Sequence, residues 1–66
     1  MSIALSNLRT HKSYVLTNYG EKFEFSVQEI MPYDEFLLKD VNTLETYYMS
    51  ELIGRGKGKD FSIWER

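Results

Sequence analysis

The chain has no cysteine, one histidine, one proline and no long apolar run. Each shortage removes a class of chemistry. Without cysteine there are no disulfides, no thiolate metal sites and no cysteine nucleophile. His11 has no sequence neighbour that looks like a metal ligand or a carboxylate to orient it, so it reads as a surface residue. The opening Met1-Ser-Ile-Ala-Leu-Ser-Asn-Leu8 is weakly apolar, but no basic segment precedes it. It fits neither a signal peptide nor a membrane span, and the cytoplasm is the default expectation. The formal net charge of -2 is too small to point to a partner.

What is present is aromatic. Four Phe, five Tyr and one Trp stand in 66 residues. A chain of this length forms one domain and buries only about 60% of its unfolded surface, so most large apolar side chains are needed for the core. Few remain to line a deep substrate pocket. The charges are unevenly placed. Glu21, Glu24, Glu29, Asp34, Glu35, Asp40, Glu45 and Glu51 face only Lys22 and Lys39 across residues 21–51. Arg55, Lys57 and Lys59 then follow with no acid among residues 52–59.

Residues 1–11 show no sustained period and read as a loosely structured lead-in; residues 12–66 read as one small β domain. Lys12 to Thr17 is a strand with Tyr14 and Leu16 on one face. Asn18-Tyr19-Gly20-Glu21 is a turn in which Gly20 takes positive φ and Asn18 bonds its own backbone. Phe23, Phe25 and Val27 then alternate with Lys22, Glu24, Ser26 and Gln28, the pattern of a half-buried strand. The alternation slips at Glu29. Either the strand ends there, or a bulge near Gln28 and Glu29 bends it and returns Ile30 to the core. Pro32 places a turn at Met31 to Asp34, and Glu35 to Asp40 is a third strand with Phe36 and Leu38 inward.

Residues 43–53 admit two readings. Asn42 as a cap, Glu45 three residues on, and Leu44, Tyr47, Tyr48 and Leu52 at helical spacing describe a helix. The strand-prone Thr46-Tyr-Tyr-Met49 describes instead a fourth strand, Glu45 to Met49, with Tyr47 and Met49 on one face, followed by one helical turn, Ser50 to Ile53, ended by Gly54. The strand is favoured because the third strand needs an antiparallel neighbour. Phe61 to Trp64 is the fifth strand. The expected core is Phe23, Phe25, Val27, Ile30, Phe36, Leu38, Leu52, Phe61 and Ile63.

Five short strands with one helical turn before the last resemble the order of an SH3-like or Tudor-like barrel. Asp40, Thr43 and Glu45 hold the places of the Asp, Thr and Glu common in a polar turn of Tudor-like domains. The resemblance covers about residues 12–65 and is to the small uncharacterised bacterial members. It implies an all-β, five-stranded antiparallel SH3-like barrel. Such barrels serve many functions.

Two surfaces suggest contacts. Gly54-Arg-Gly-Lys-Gly-Lys-Asp60 resembles a phosphate-binding loop only loosely, because Lys59 is followed by Asp60 where a P-loop needs Ser or Thr. Its bland reading is a solvated flexible loop; its functional reading is polyanion contact through Arg55, Lys57 and Lys59. The aromatics Tyr14, Tyr19, Tyr33, Tyr47, Tyr48 and Trp64 are core packing first. Tyr19, Tyr33, Tyr48 and Trp64 are the candidates for an exposed surface that stacks bases or, as the resemblance implies, cages a methylated cation. The carboxylate pairs Glu24 with Glu29 and Asp34 with Glu35 lie at solvated positions, so no catalysis, cofactor or metal is expected. The leading expectation is a module that binds protein or peptide, with self-association through a free strand edge; weak RNA or single-strand binding through the basic loop is the alternative.

Overall fold

The computed structural model describes residues 2–66. A 3-10 turn, Leu5–Asn7, precedes strands β1 (Ser13–Asn18), β2 (Glu21–Met31), β3 (Glu35–Asp40) and β4 (Thr46–Tyr48). The helical turn α1 (Met49–Ile53) and strand β5 (Ser62–Glu65) complete the chain. The ambiguous stretch is therefore a three-residue strand running straight into one helical turn. The five strands form one antiparallel sheet in the order β4-β3-β2-β1-β5.

That order corrects the expected barrel. β4 and β5 are the two ends of the sheet and do not pair with each other, so the sheet is open. The SH3-like and Tudor-like assignment falls with the closure it required. The physical reason lies at β5. The backbone of Ile63 is already satisfied: its N–H donates to Ser2 Oγ at 2.9 Å, and its C=O accepts from Ile3 N–H at 2.7 Å. The start of the chain occupies the position a closing strand would take. At the other end, β4 is only three residues long before the chain turns into α1.

The core follows from alternation. Tyr14 and Leu16 of β1, Phe25 and Val27 of β2, Phe36 and Leu38 of β3, and Ile63 of β5 are buried on one face. Leu8 and Met49, which lie outside any strand, fill the remaining space. The Tyr14 and Phe25 rings pack tilted at 6.2 Å, and the Tyr14 hydroxyl accepts the Arg9 N–H. Phe23, Leu52 and Phe61 sit only partly buried at the rim.

The slip in β2 is a bulge between Val27 and Glu29, and it does return Ile30 to the parity of buried Phe36 across the ladder. Ile30 is nevertheless 51% exposed. β1 pairs with β2 only as far as Ser26, and β2 continues for five more residues. At this end of the hairpin α1 packs against β3, and Phe36 is buried, but β2 no longer has β1 beside it, so Ile30 stays exposed although it shares Phe36's parity.

Candidate functional site

The basic loop, residues 54–60, is fastened to the β1–β2 turn. Asn18, at 3% exposure, donates its Nδ2 to the carbonyls of Leu52 and Gly56 at 3.2 and 3.1 Å, and its Oδ1 accepts the Gly58 N–H at 2.8 Å. The Asp60 carboxylate accepts the N–H groups of Tyr19 and Gly20 at 2.9 and 2.7 Å. The Tyr19 hydroxyl donates to the Arg55 carbonyl, and its ring lies so close to Gly58 that a Cβ there would stand 3.0 Å from it. Asn18 therefore closes the loop from 34 to 40 residues away instead of bonding its own turn.

This fastening determines what the loop offers an anion. The N–H groups of Gly56 and Gly58, the donors a phosphate cradle would use, are engaged by Ile53 O and Asn18 Oδ1. Lys57 Nζ lies 5.1 Å from the centre of the Phe61 ring. Arg55, Lys57 and Lys59 are exposed. The adjacent cleft, about 340 Å³, has Phe23 and Leu52 on its floor and Glu21, Glu51 and Arg55 on its walls. Glu51 is committed, accepting the Tyr48 N–H at 2.9 Å.

The four candidate aromatics are spread across the molecule. Tyr19 is in the β1–β2 turn and Tyr33 in the β2–β3 turn, at opposite ends of β2. Tyr48 and Trp64 are on β4 and β5, the opposite edges of the sheet. The Tyr47 hydroxyl is buried without a hydrogen-bond partner among the described residues. Burial, reinforced by the Asp40 and Glu51 carboxylates, pushes its pKa up to about 12.

Two carboxylates shift in the direction opposite to that of a general acid. Hydrogen bonding from Ser50, with further help from the Phe36 N–H, holds Glu35 below its ordinary range against the opposing effect of burial. The backbone N–H groups of Thr43 and Asn42 do the same for Asp40. Asp40 thereby shapes the β3–β4 loop, in which Leu44 sits exposed at φ 66°. Glu24 pairs with Arg66 at 3.6 Å. No group of three or more His, Asp or Glu side chains suited to a metal occurs among the described residues.

The feature that sequence reasoning missed is the hairpin end beyond β1. Tyr33 at its tip is 100% exposed and, like Asp34, adopts positive φ, 62° and 59°. A non-glycine residue in that region costs roughly 1 to 2 kcal/mol. Glu29, half-exposed Ile30, Tyr33 and Asp34 share this end of the molecule. The signal in the sequence was length: β2 has eleven residues and β1 six, so one end of β2 has to overhang. Comparison with protein-family models, with curated proteins and with solved structures finds no match. No helix among the described residues is long and apolar enough to cross a membrane.

Proposed function

We propose that the chain is a non-catalytic interaction module, working in the cytoplasm, that binds protein through the turn end of its β2–β3 hairpin. One observation carries this reading: Tyr33 stands fully exposed at the hairpin turn, with half-exposed Ile30 on the same strand end, where β2 has lost β1 as a neighbour. An apolar centre within a polar rim is the usual composition of a protein contact, and Glu29 and Asp34 supply the rim. The lowered pKa values of Glu35 and Asp40 fit turn and strand carboxylates that hold backbone N–H groups. The engaged glycine N–H groups weigh against the nucleic-acid alternative.

The test is site-specific cross-linking. A photoreactive phenylalanine analogue is placed at position 33 or at position 64, and the full chain is irradiated in the cells that make it. Protein adducts from position 33 and none from position 64 are expected. Their absence at position 33 overturns the reading. So does oligonucleotide binding at low salt that an Arg55, Lys57 and Lys59 triple alanine variant loses.

A further inference from the structure

The overhang leaves a strand edge open, and its charges indicate what fills it. β1 pairs with β2 from Asn18↔Glu21 to Ser13↔Ser26. One step beyond, residues 11–12 still flank β2: the His11 N–H donates to the Val27 C=O at 2.8 Å, and the Val27 N–H donates to the Lys12 C=O at 3.0 Å. Past Val27, β2 keeps β3 on one side, with Glu29↔Leu37, Ile30↔Phe36 and Met31↔Glu35. On the β1 side, residues 28–31 have no strand among the described residues. Four residues give an open edge of roughly 13 Å.

The other two edges are partly occupied. Ser2 and Ile3 bond Ile63 on β5, and Glu51 takes the Tyr48 N–H on β4. Along the open edge the charge is polarised. Exposed His11 and Lys12 stand at the Val27 end, exposed Asp34 at the far end, where Lys57 lines a cavity with it, and half-exposed Ile30 between them.

We infer that residues 28–31 pair antiparallel with the same residues of a second copy of this chain. The inference rests on the proposed protein-binding reading and names its partner. A two-fold axis at Ile30 sets that side chain against its own counterpart. Glu29 then falls opposite Met31 of the second copy, away from direct like-charge opposition. Pro32, without an N–H, ends the ladder. Asp34 of each copy then abuts the His11–Lys12 pair of the other, so both ends are matched at once. A basic peptide from another protein would satisfy the acidic end and meet repulsion at the other. The contact is small, so the dimer is weak, with a Kd on the order of 10⁻⁴ M.

Sedimentation equilibrium of the full chain up to about 1 mM tests this range, joined to amide NMR spectra over the same dilution series. The expected result is a mass rising toward twice that of the chain, with shifts confined to residues 11–12 and 28–34. Asp34→Lys weakens association about tenfold, because the symmetric contact occurs twice. Adding Lys12→Glu to that variant restores it. A chain that stays monomeric throughout overturns the inference. So do shifts centred on β4 or β5, or a double variant no tighter than the single one. The position-33 cross-link separates the two readings: an adduct of twice the chain's mass supports pairing, whereas an adduct with a different protein overturns pairing and leaves the interaction module standing.

Discussion

The β1–β2 and β2–β3 turns lie at opposite ends of β2, and each holds a tyrosine in the left-handed region, Tyr19 at φ 51° and Tyr33 at φ 62°. Around Tyr19 everything is engaged. Its N–H meets Asp60, its hydroxyl meets the Arg55 carbonyl and its ring covers Gly58. Its conformation is maintained by tertiary bonds, so the strain has a structural cause. Tyr33 has the same strain and a wholly exposed side chain. In both turns two successive residues at positive φ, Tyr19 with Gly20 and Tyr33 with Asp34, make the tight hairpin connection, so what distinguishes them is the side chain, packed in one and free in the other.

Substitutions at the two ends should separate them. The largest effect is expected at Asn18. Asn18→Ala removes three hydrogen bonds and leaves the Leu52 and Gly56 carbonyls and the Gly58 N–H without their partner. The expected loss is about 3 kcal/mol, a large part of the stability of so small a domain, read as a lower urea midpoint. Gly58→Ala drives a Cβ to 3.0 Å from the Tyr19 ring and 3.1 Å from Asp60 Oδ1. The Tyr19 ring must yield, at a cost of about 1 kcal/mol in the same measurement.

The same substitution at both turns sharpens the contrast in sign. Asn tolerates the left-handed region better than Tyr. Tyr33→Asn should therefore raise stability by about 0.5 to 1 kcal/mol, since nothing else is lost. Tyr19→Asn makes the same backbone gain but loses the Arg55 bond and the cover over Gly58. It should lower stability by about 0.5 kcal/mol. Equal effects at the two positions would erase the distinction between the turns.

The smallest effect concerns the base of the free hairpin. Glu35, the first residue of β3, accepts the Ser50 N–H at 3.1 Å and so ties the hairpin to α1. Its pKa is depressed in the folded protein. The ionised carboxylate therefore favours folding above its ordinary value of 4.5, and that contribution is lost as pH falls through the folded value. Glu35→Gln should lower the melting temperature slightly near pH 6, and the gap from the unsubstituted chain should narrow by pH 3. A gap independent of pH would show that the carboxylate is not what ties the hairpin to α1.

Much of the sheet was legible because its signals are local. The alternation of Phe23, Phe25 and Val27 marks β2, Pro32 marks the second turn, and the slip at Glu29 marks the bulge. What stayed hidden depends on residues far apart. Whether the sheet closes is decided by Ser2 and Ile3 meeting Ile63, and no pattern within either segment announces it. Leu8 enters the core from a stretch without periodicity. The glycine loop read as flexible because Asn18 and Asp60, which fasten it, act across 34 to 41 residues. Tyr33 was expected to be exposed from its place in a turn. That Tyr48 and Trp64 lie on opposite edges follows from strand order, which composition does not contain.

The reach of Asn18 also bears on the order in which the protein assembles. Its three bonds join residues 34, 38 and 40 positions apart, whereas the β1–β2–β3 meander closes through two short turns. Joining distant segments costs more chain entropy than closing adjacent ones, so the meander forms first and the loop fastens last. Interactions absent from the transition state govern escape from the native state more than entry into it. Asn18 is then a latch on lifetime. In stopped-flow measurements Asn18→Ala should leave the refolding arm almost unmoved and raise the unfolding arm by nearly the whole loss of stability.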